Sequence, residues 1–193
     1  MGTLPTLHGA PSKITVLLSG GIDSAAVAAY YLQLKFEIQA LFVDYGQAAA
    51  KKERKAAHCL SKFLGIPVSE VFANHDNSFS KGEIPGRNAF LIFSALLTIQ
   101  RKPHIIALGV HAGVPYYDCS QSFLDCTQQI IDGYTNGRIK IAAPFLKWNK
   151  PMIWRFFKDQ GLPVDMTYSC ETGYSPPCGS CASCIDREEL YAL

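Results

Sequence analysis

Short runs of apolar and β-branched residues alternate along this chain with longer stretches of helical composition. Ile14 to Leu18 (ITVLL) reads as a buried strand that stops at Ser19-Gly20-Gly21, and the Ala-rich stretch Asp23 to Leu34 reads as the helix after it. Phe36 to Val43 predicts a second strand, Ala48 to Leu64 a charged amphipathic helix closed by Gly65-Ile66-Pro67, and Val68 to Phe72 a third strand. The alternation then repeats: Asn88 to Gln100 helix, His104 to Gly109 strand, Ser122 to Gly133 helix, Ile139 to Ala143 strand, and Lys150 to Gln160 helix closed by Gly161-Leu162-Pro163.

Strands alternating with helices imply right-handed crossovers, and hence a five-stranded, mainly parallel sheet covered by helices on both faces, a three-layer α/β fold. Ligands of open sheets of this kind bind beyond the carboxyl ends of the strands. The loops beginning at Ser19, Asp44, Gly109 and Pro144 should therefore share one cleft. After Pro163 the pattern gives way to Cys, Pro, Gly and Ser, which predicts an accessory element over residues 164–193. Residues 1–13, with Pro5, Gly9 and Pro11 and no apolar signal core, read as a flexible leader, leaving 14–163 as the main domain.

The bulk numbers narrow the function. An apolar share of 48% with 18% charged residues is ordinary for a globular protein, and no apolar run approaches the ~20 residues of a membrane span. A formal charge of +2 is too small to argue for nucleic acid. Four of the seven cysteines crowd into Cys170–Cys184 without an export signal, so a reducing, cytoplasmic setting and metal ligation are expected rather than disulfides.

The glycines of Ser19-Gly20-Gly21-Ile22-Asp23-Ser24, between a strand and a helix, let backbone N–H groups approach phosphate oxygens, and Ser19 and Ser24 add hydroxyl donors. Asp23 is expected to cap the helix and to sit near a Mg²⁺ that neutralises the nucleotide. The loop lacks the Gly-Lys-Ser/Thr ending of the ordinary P-loop. It resembles the SGGxDS loop of the ATP-pyrophosphatase family, within the HUP group of folds, whose members cleave ATP between its α and β phosphates to adenylate a carbonyl or carboxyl oxygen.

Cys170, Cys178, Cys181 and Cys184 have the spacing C-x7-C-x2-C-x2-C, with Pro176, Pro177 and Gly179 turning the chain. Four thiolates suit a closed, structural Zn²⁺ site, and chemically they also suit an iron–sulfur cluster. Cys59 and Cys126 are expected in helix cores, as are Tyr30, Tyr31, Phe90, Phe93, Trp154, Phe156 and Phe157. His58, His75, His104 and His111 show no metal spacing and suggest no catalytic task, although His111 lies in a cleft-side loop.

Asp44-Tyr45-Gly46-Gln47, Pro85-Gly86-Arg87-Asn88, Tyr117-Asp118-Cys119 and the four cysteines, in this order with the SGGIDS loop, resemble the 7-cyano-7-deazaguanine synthase (QueC) family over residues 14–190. The resemblance implies that 7-carboxy-7-deazaguanine is adenylated with ATP, that ammonia displaces AMP to give an amide, and that a second activation dehydrates the amide to the nitrile. Arg87 is the leading candidate to clamp a carboxylate or phosphate, with Lys150 as a point cation on phosphate. Asp118 suits the adjacent N–H donors of a guanine-like base, and Tyr45, Gln47 and Asn88 are further candidates for substrate contact. The resemblance also suggests a homodimer.

The chain departs from the family pattern around the cleft. Ala48, Ala49 and Ala50 stand where the family carries Arg-His after its DYGQ-like motif. His111-Ala112-Gly113-Val114 replaces an acidic stretch, Ser120 replaces an Arg, and the segment before Pro85 is short. A more open pocket at Ala48–Ala50 would admit a larger acceptor than ammonia, so an amide ligase acting on an amine of a protein or other partner, of the kind associated with antiviral defence, is the second expectation. A nucleotide sensor without catalysis is the third, and joint retention of Asp23, Ser24, Arg87 and Lys150 argues against it.

Overall fold

The computed structural model describes residues 13–73, 79, 82–99, 104–111 and 113–193. Residues 1–12 of the expected leader, His75, the expected helix end at Gln100, and Ala112 lie outside the described residues. The elements are β1 (Lys13–Leu17), α1 (Ile22–Gln33), β2 (Glu37–Asp44), α2 (Ala50–Leu64), β3 (Val68–Phe72), α3 (Arg87–Thr98), β4 (His104–Ala107), α4 (Gln121–Thr135), β5 (Ile139–Ala142), α5 (Lys150–Asp159) and α6 (Ala182–Tyr191). Short 3₁₀ turns occupy Tyr117–Cys119 and Val164–Met166.

The five strands form one sheet in the order β3-β2-β1-β4-β5, every pair parallel. β1 is central, with Ile14 in register with Ile38 on one side and Ile105 on the other. The chain winds outward from β1 to β3 and then returns to place β4 on β1's other flank. The loops after β1 and β4 therefore diverge, opening the crevice where ligands of such sheets bind.

Alternation along each strand divides the core into two layers. Ile14, Val16 and Leu18 pack with α1, Ala57 and Leu60 of α2, and Ile153 and Phe157 of α5. Leu17, Leu41 and Ile106 face the other way, onto Ile92 and Ala95 of α3 and Phe123, Leu124 and Ile131 of α4. Both sheet faces are thus covered, which is why β1, β2 and β4 read as near-continuous apolar runs. Among the described residues no helix is long and apolar enough to cross a membrane.

Several expectations need correcting. β1 starts at Lys13, inside the expected leader, and β2 starts at Glu37 because Lys35, at φ 64°, turns the chain first. Ser120 caps α4, its Oγ accepting from the Phe123 N–H at 3.1 Å. Cys126 is exposed and Cys59 half-buried, so neither is a core residue. Cys126 lies about 200° around α4 from the sheet-facing Leu124, given 3.6 residues per turn. Phe90 is also exposed, on the outer side of α3. α6 was not expected, since Pro, Gly and Cys dominate the sequence just before it.

His104, on the central strand pair, shares a 2.8 Å hydrogen bond with Thr15 Oγ1. Burial, with Lys13 adding to it and Glu37 opposing, pushes its pKa down from 6.5 to about 4. The unfolded chain therefore binds a proton that the folded chain refuses, and stability falls as pH drops from about 6.5 towards 4. Thermal melts should show a declining melting temperature over that interval. His104→Gln, which can keep the bond to Thr15 without titrating, should have a shallower decline; equal slopes would remove His104 as a cause.

Candidate active site

The loop between β1 and α1 is shaped by an approach that only glycine permits. Gly20 has φ +86°, and a Cβ there would stand 2.6 Å from the Glu53 carbonyl oxygen and 2.8 Å from Ala56 Cβ of α2. The Gly20 carbonyl accepts a 2.9 Å bond from the Tyr168 N–H, so α2 and the C-terminal segment hold the loop from two sides. Gly21 is the N-cap of α1 and makes no side-chain cap bond. Ser24 Oγ donates to the Gly21 carbonyl at 3.1 Å and lies 3.2 Å from Ser19 Oγ. Ser19, Gly21, Asp23 and Ser24 line a cavity of about 390 Å³, while Gly20 faces α2. Free N–H groups at a helix start, with two hydroxyls beside them, are suited to an anion.

Asp23 does not cap α1. Its Oδ2 accepts from Lys150 Nζ at 2.6 Å across 127 residues of sequence, while its Oδ1 is buried without a partner. Lys150 opens α5, where Asn149 Oδ1 caps the Met152 N–H at 3.0 Å. A cation at a helix N-terminus opposes the helix dipole, and the Asp23 carboxylate offsets this. His111 Nε2 lies 3.5 Å from Lys150 Nζ and 3.9 Å from Asp23 Oδ2. The β4 loop comes this close because Gly109 passes against α1, where a Cβ would stand 3.1 Å from Ser24 N.

A second polar group forms on the β2 side. Gln47 Oε1 accepts from the Tyr45 N–H at 2.9 Å, and its Nε2 donates to Glu53 Oε2 at 2.9 Å and to the Val43 carbonyl at 3.3 Å. Burial raises the pKa of Glu53; the Gln47 bond and nearby Arg87 oppose this, and Asp44 adds to it. The Tyr45 phenol is pushed up to about 12, by burial first and Glu53 second, against the Arg87 guanidinium that hydrogen-bonds it. The Tyr45 and Phe79 rings, 5.9 Å apart, form an aromatic wall.

Arg87 and Asn88 start α3 and line the same cavity. Asp118 is not among the side chains lining it. Its Oδ2 accepts from the Asn88 N–H at 3.1 Å, and its backbone carbonyl accepts from Asn88 Nδ2 at 3.0 Å. It thereby anchors the start of α3. Of Ala48–Ala50, Ala49 lines the cavity, whereas Ala48 is exposed and Ala50 half-buried. Gly173 seats on Ala48, where a Cβ would stand 2.4 Å from the Ala48 carbonyl oxygen.

The C-terminal element completes the wall, with Tyr168, Glu171 and Arg187 among its lining residues. Arg187 donates to the Val164 carbonyl at 2.8 Å and to Ser169 Oγ at 3.2 Å. The Sγ atoms of Cys170, Cys178, Cys181 and Cys184 all lie within 4.8 Å of one another, an arrangement able to hold a metal ion. The N–H of Ser180, then that of Cys181, draws the Cys178 thiol down to about 5. Glu53, Phe79, Glu171 and Arg187 were missed in the sequence because folding, rather than a local motif, brings them to the cleft.

A parallel sheet whose glycine-rich β1 loop opens at the switch point, beside a cleft holding Arg and Lys, defines an open-sheet α/β protein with a loop suited to an anion. The family model described as "Queuosine biosynthesis protein QueC" matches residues 13–81 and 68–193, and the chain belongs to that family. It is 33% identical to "7-cyano-7-deazaguanine synthase" from Prochlorococcus marinus (strain MIT 9301), over 93% of each chain. The enzyme of the same name from Aquifex aeolicus (strain VF5) is 32% identical, over 91% of this chain and 94% of that one. Among solved structures, a predicted subunit of tRNA methyltransferase from Methanocaldococcus jannaschii matches at TM-score 0.47 and 16% identity, covering 81% of this chain and 92% of that one. ATP use is implied by the family.

Gly20→Ala should be destabilising, because the added methyl meets backbone as well as a left-handed φ. We expect a lower melting temperature and at least about tenfold weaker nucleotide binding by calorimetry, corresponding to about 1.4 kcal/mol. Unchanged affinity would mean that the loop tolerates displacement from α2.

Proposed function

We propose that the chain activates 7-carboxy-7-deazaguanine with ATP, forms the amide from the acyl adenylate and ammonia, and dehydrates that amide in a second activation to 7-cyano-7-deazaguanine. The observation that carries this reading is the facing arrangement of an anion-binding loop and two cations, Arg87 and Lys150, in a member of this family. The substrate itself is carried over from relatives bearing the synthase name.

In the first step a carboxylate oxygen attacks the α-phosphorus, the bond to the bridging oxygen breaks, and pyrophosphate leaves. Ser19, Gly21 and Ser24 would hold the departing pyrophosphate at the α1 N-terminus. Arg87, at the α3 start, would orient the acid through paired N–H donors, and Lys150 would offset phosphate charge. Tyr45 and Phe79 would cover a planar base, with Gln47 and Asn88 offering polar contacts. The orphaned Asp23 Oδ1 suits a cation ligand, and a bound Mg²⁺ would supply charge neutralisation on the nucleotide.

The donor set of four thiolates suits Zn²⁺. Tetrahedral ligands at about 2.3 Å require sulfurs about 3.8 Å apart, and Cys178 and Cys184 are already at 4.0 Å. A closed site of this kind would supply structure. Its first ligand, Cys170, follows two residues after Tyr168, whose N–H holds Gly20, so stripping the metal with a chelator should lower both the melting temperature and ATP affinity, and Zn²⁺ should restore both. Loss of neither would separate the cluster from the nucleotide site.

The deciding experiment is mass spectrometry of products from the purified protein incubated with ATP, Mg²⁺, ammonium and 7-carboxy-7-deazaguanine, with Asp23→Ala as the control. A nitrile that disappears in the control supports the reading. AMP without nitrile points to the amide ligase with another amine acceptor, and no ATP-dependent product overturns both.

A further inference from the structure

A guanine-type acid offers a protein two kinds of handle. Its carboxylate calls for a cation, and the far edge of the base carries two adjacent N–H donors, which call for a paired acceptor. Among the described residues, the carboxylates lining the cleft are those of Asp23, Glu53, Glu171 and Asp186. Asp23 is paired with Lys150. Both oxygens of Glu171 are taken, Oε1 by the N–H and Oγ of Ser183 and Oε2 by the N–H of Gly82. Asp186 is exposed on α6, where water competes for any donor. Glu53 differs from all three: its Oε2 accepts from Gln47 Nε2 at 2.9 Å, and its Oε1 accepts from no described residue.

We propose, on the reading of the chain as an enzyme of 7-carboxy-7-deazaguanine, that Glu53 is the specificity-determining residue that accepts the paired N–H donors of the base. Its place in the fold is fixed. Glu53 lies in the first turn of α2, its N–H donates to the Ala49 carbonyl at 2.9 Å, and its own carbonyl lies against Gly20. A helix start favours a carboxylate in its ionised, acceptor form. Gln47, itself bonded to the Tyr45 N–H and the Val43 carbonyl, holds one carboxylate oxygen, and the lone pairs left over are available to a ligand.

The neighbours have matching chemistry. Tyr45 and Phe79 line the same cleft as a wall for a planar ring. Arg87 acts on Glu53 by charge without hydrogen-bonding it, so cation and acceptor remain separate, as the two ends of the substrate require. Burial raises the Glu53 pKa, the mark of a carboxylate that has lost water without gaining a full set of donors, and two N–H groups would supply them. Such an acceptor rejects a base that lacks a donor, because the carboxylate is then left desolvated and under-bonded.

The test compares 7-carboxy-7-deazaguanine with its 2-desamino analogue, 7-carboxy-7-deazahypoxanthine, in acid-dependent ATP–pyrophosphate exchange by the whole chain. Exchange with neither acid in the wild type would overturn the reading of the reaction and this role with it. With exchange present, wild type should prefer the guanine acid by about 100-fold in kcat/KM, and equal use of the two acids would overturn the role alone. Glu53→Gln replaces an acceptor oxygen by a donor at nearly the same size. It should cut the preference to about tenfold or less by losing the guanine acid, with the KM for ATP within about threefold of wild type. A preference that survives the substitution, equal losses with both acids, or a raised KM for ATP at unchanged preference would each overturn the proposal. A crystal structure of the wild type with the acid bound reads the contact without any variant: the N–H edge should lie about 2.7–3.2 Å from the Glu53 oxygens, and that edge facing another side chain overturns the role.

Discussion

The close approach of α2 to the β1–α1 loop is the constraint on which the rest of the site depends. With no Cβ at Gly20, the Glu53 carbonyl can lie where a side chain would otherwise be, and this sets how far the loop can move. The same contact brings Glu53 to the cleft, where Gln47 holds its carboxylate. Gln47 also ties the Tyr45 turn to β2 through the Val43 carbonyl. One missing methyl group thus positions the β1–α1 loop and the β2 wall together.

The cleft divides its charges between two groups built on different principles. On the β4 side, Asp23, Lys150 and His111 sit close together, with the Asp23–Lys150 ion pair between them. On the β2 side, Gln47 makes one acceptor and two donor bonds, and the Tyr45 phenol and Glu53 carboxyl are both displaced upward by burial. The second group is thus held by hydrogen bonds and the first by charge.

Much of this was legible in the sequence. The five strands, their alternation with helices, the loop at Ser19–Ser24 and the ligand spacing of the four cysteines are local patterns, and the chain folds around them as the periodicity implies. Pairings across long separations were not legible. Asp23 and Lys150 could each be picked out as candidate site residues, but only the placement of α5 beside α1 shows that they meet. Asp118 could be read for its chemistry alone, and only the fold shows that one of its oxygens accepts from the Asn88 N–H. α6 was hidden because the turn-forming residues around its first cysteines mask the helical run behind them.

The bond from the Tyr168 N–H to the Gly20 carbonyl joins an early part of the chain to a late one. During synthesis the loop and its strand emerge first, and the segment that closes over them follows roughly ten seconds later at about 5–20 residues per second. Until then, the backbone carbonyl that the segment caps has only water to pair with, and Asp23 lacks its lysine. The nascent chain can assemble most of its sheet in that interval, but its cleft is completed only when the cysteine-bearing segment arrives.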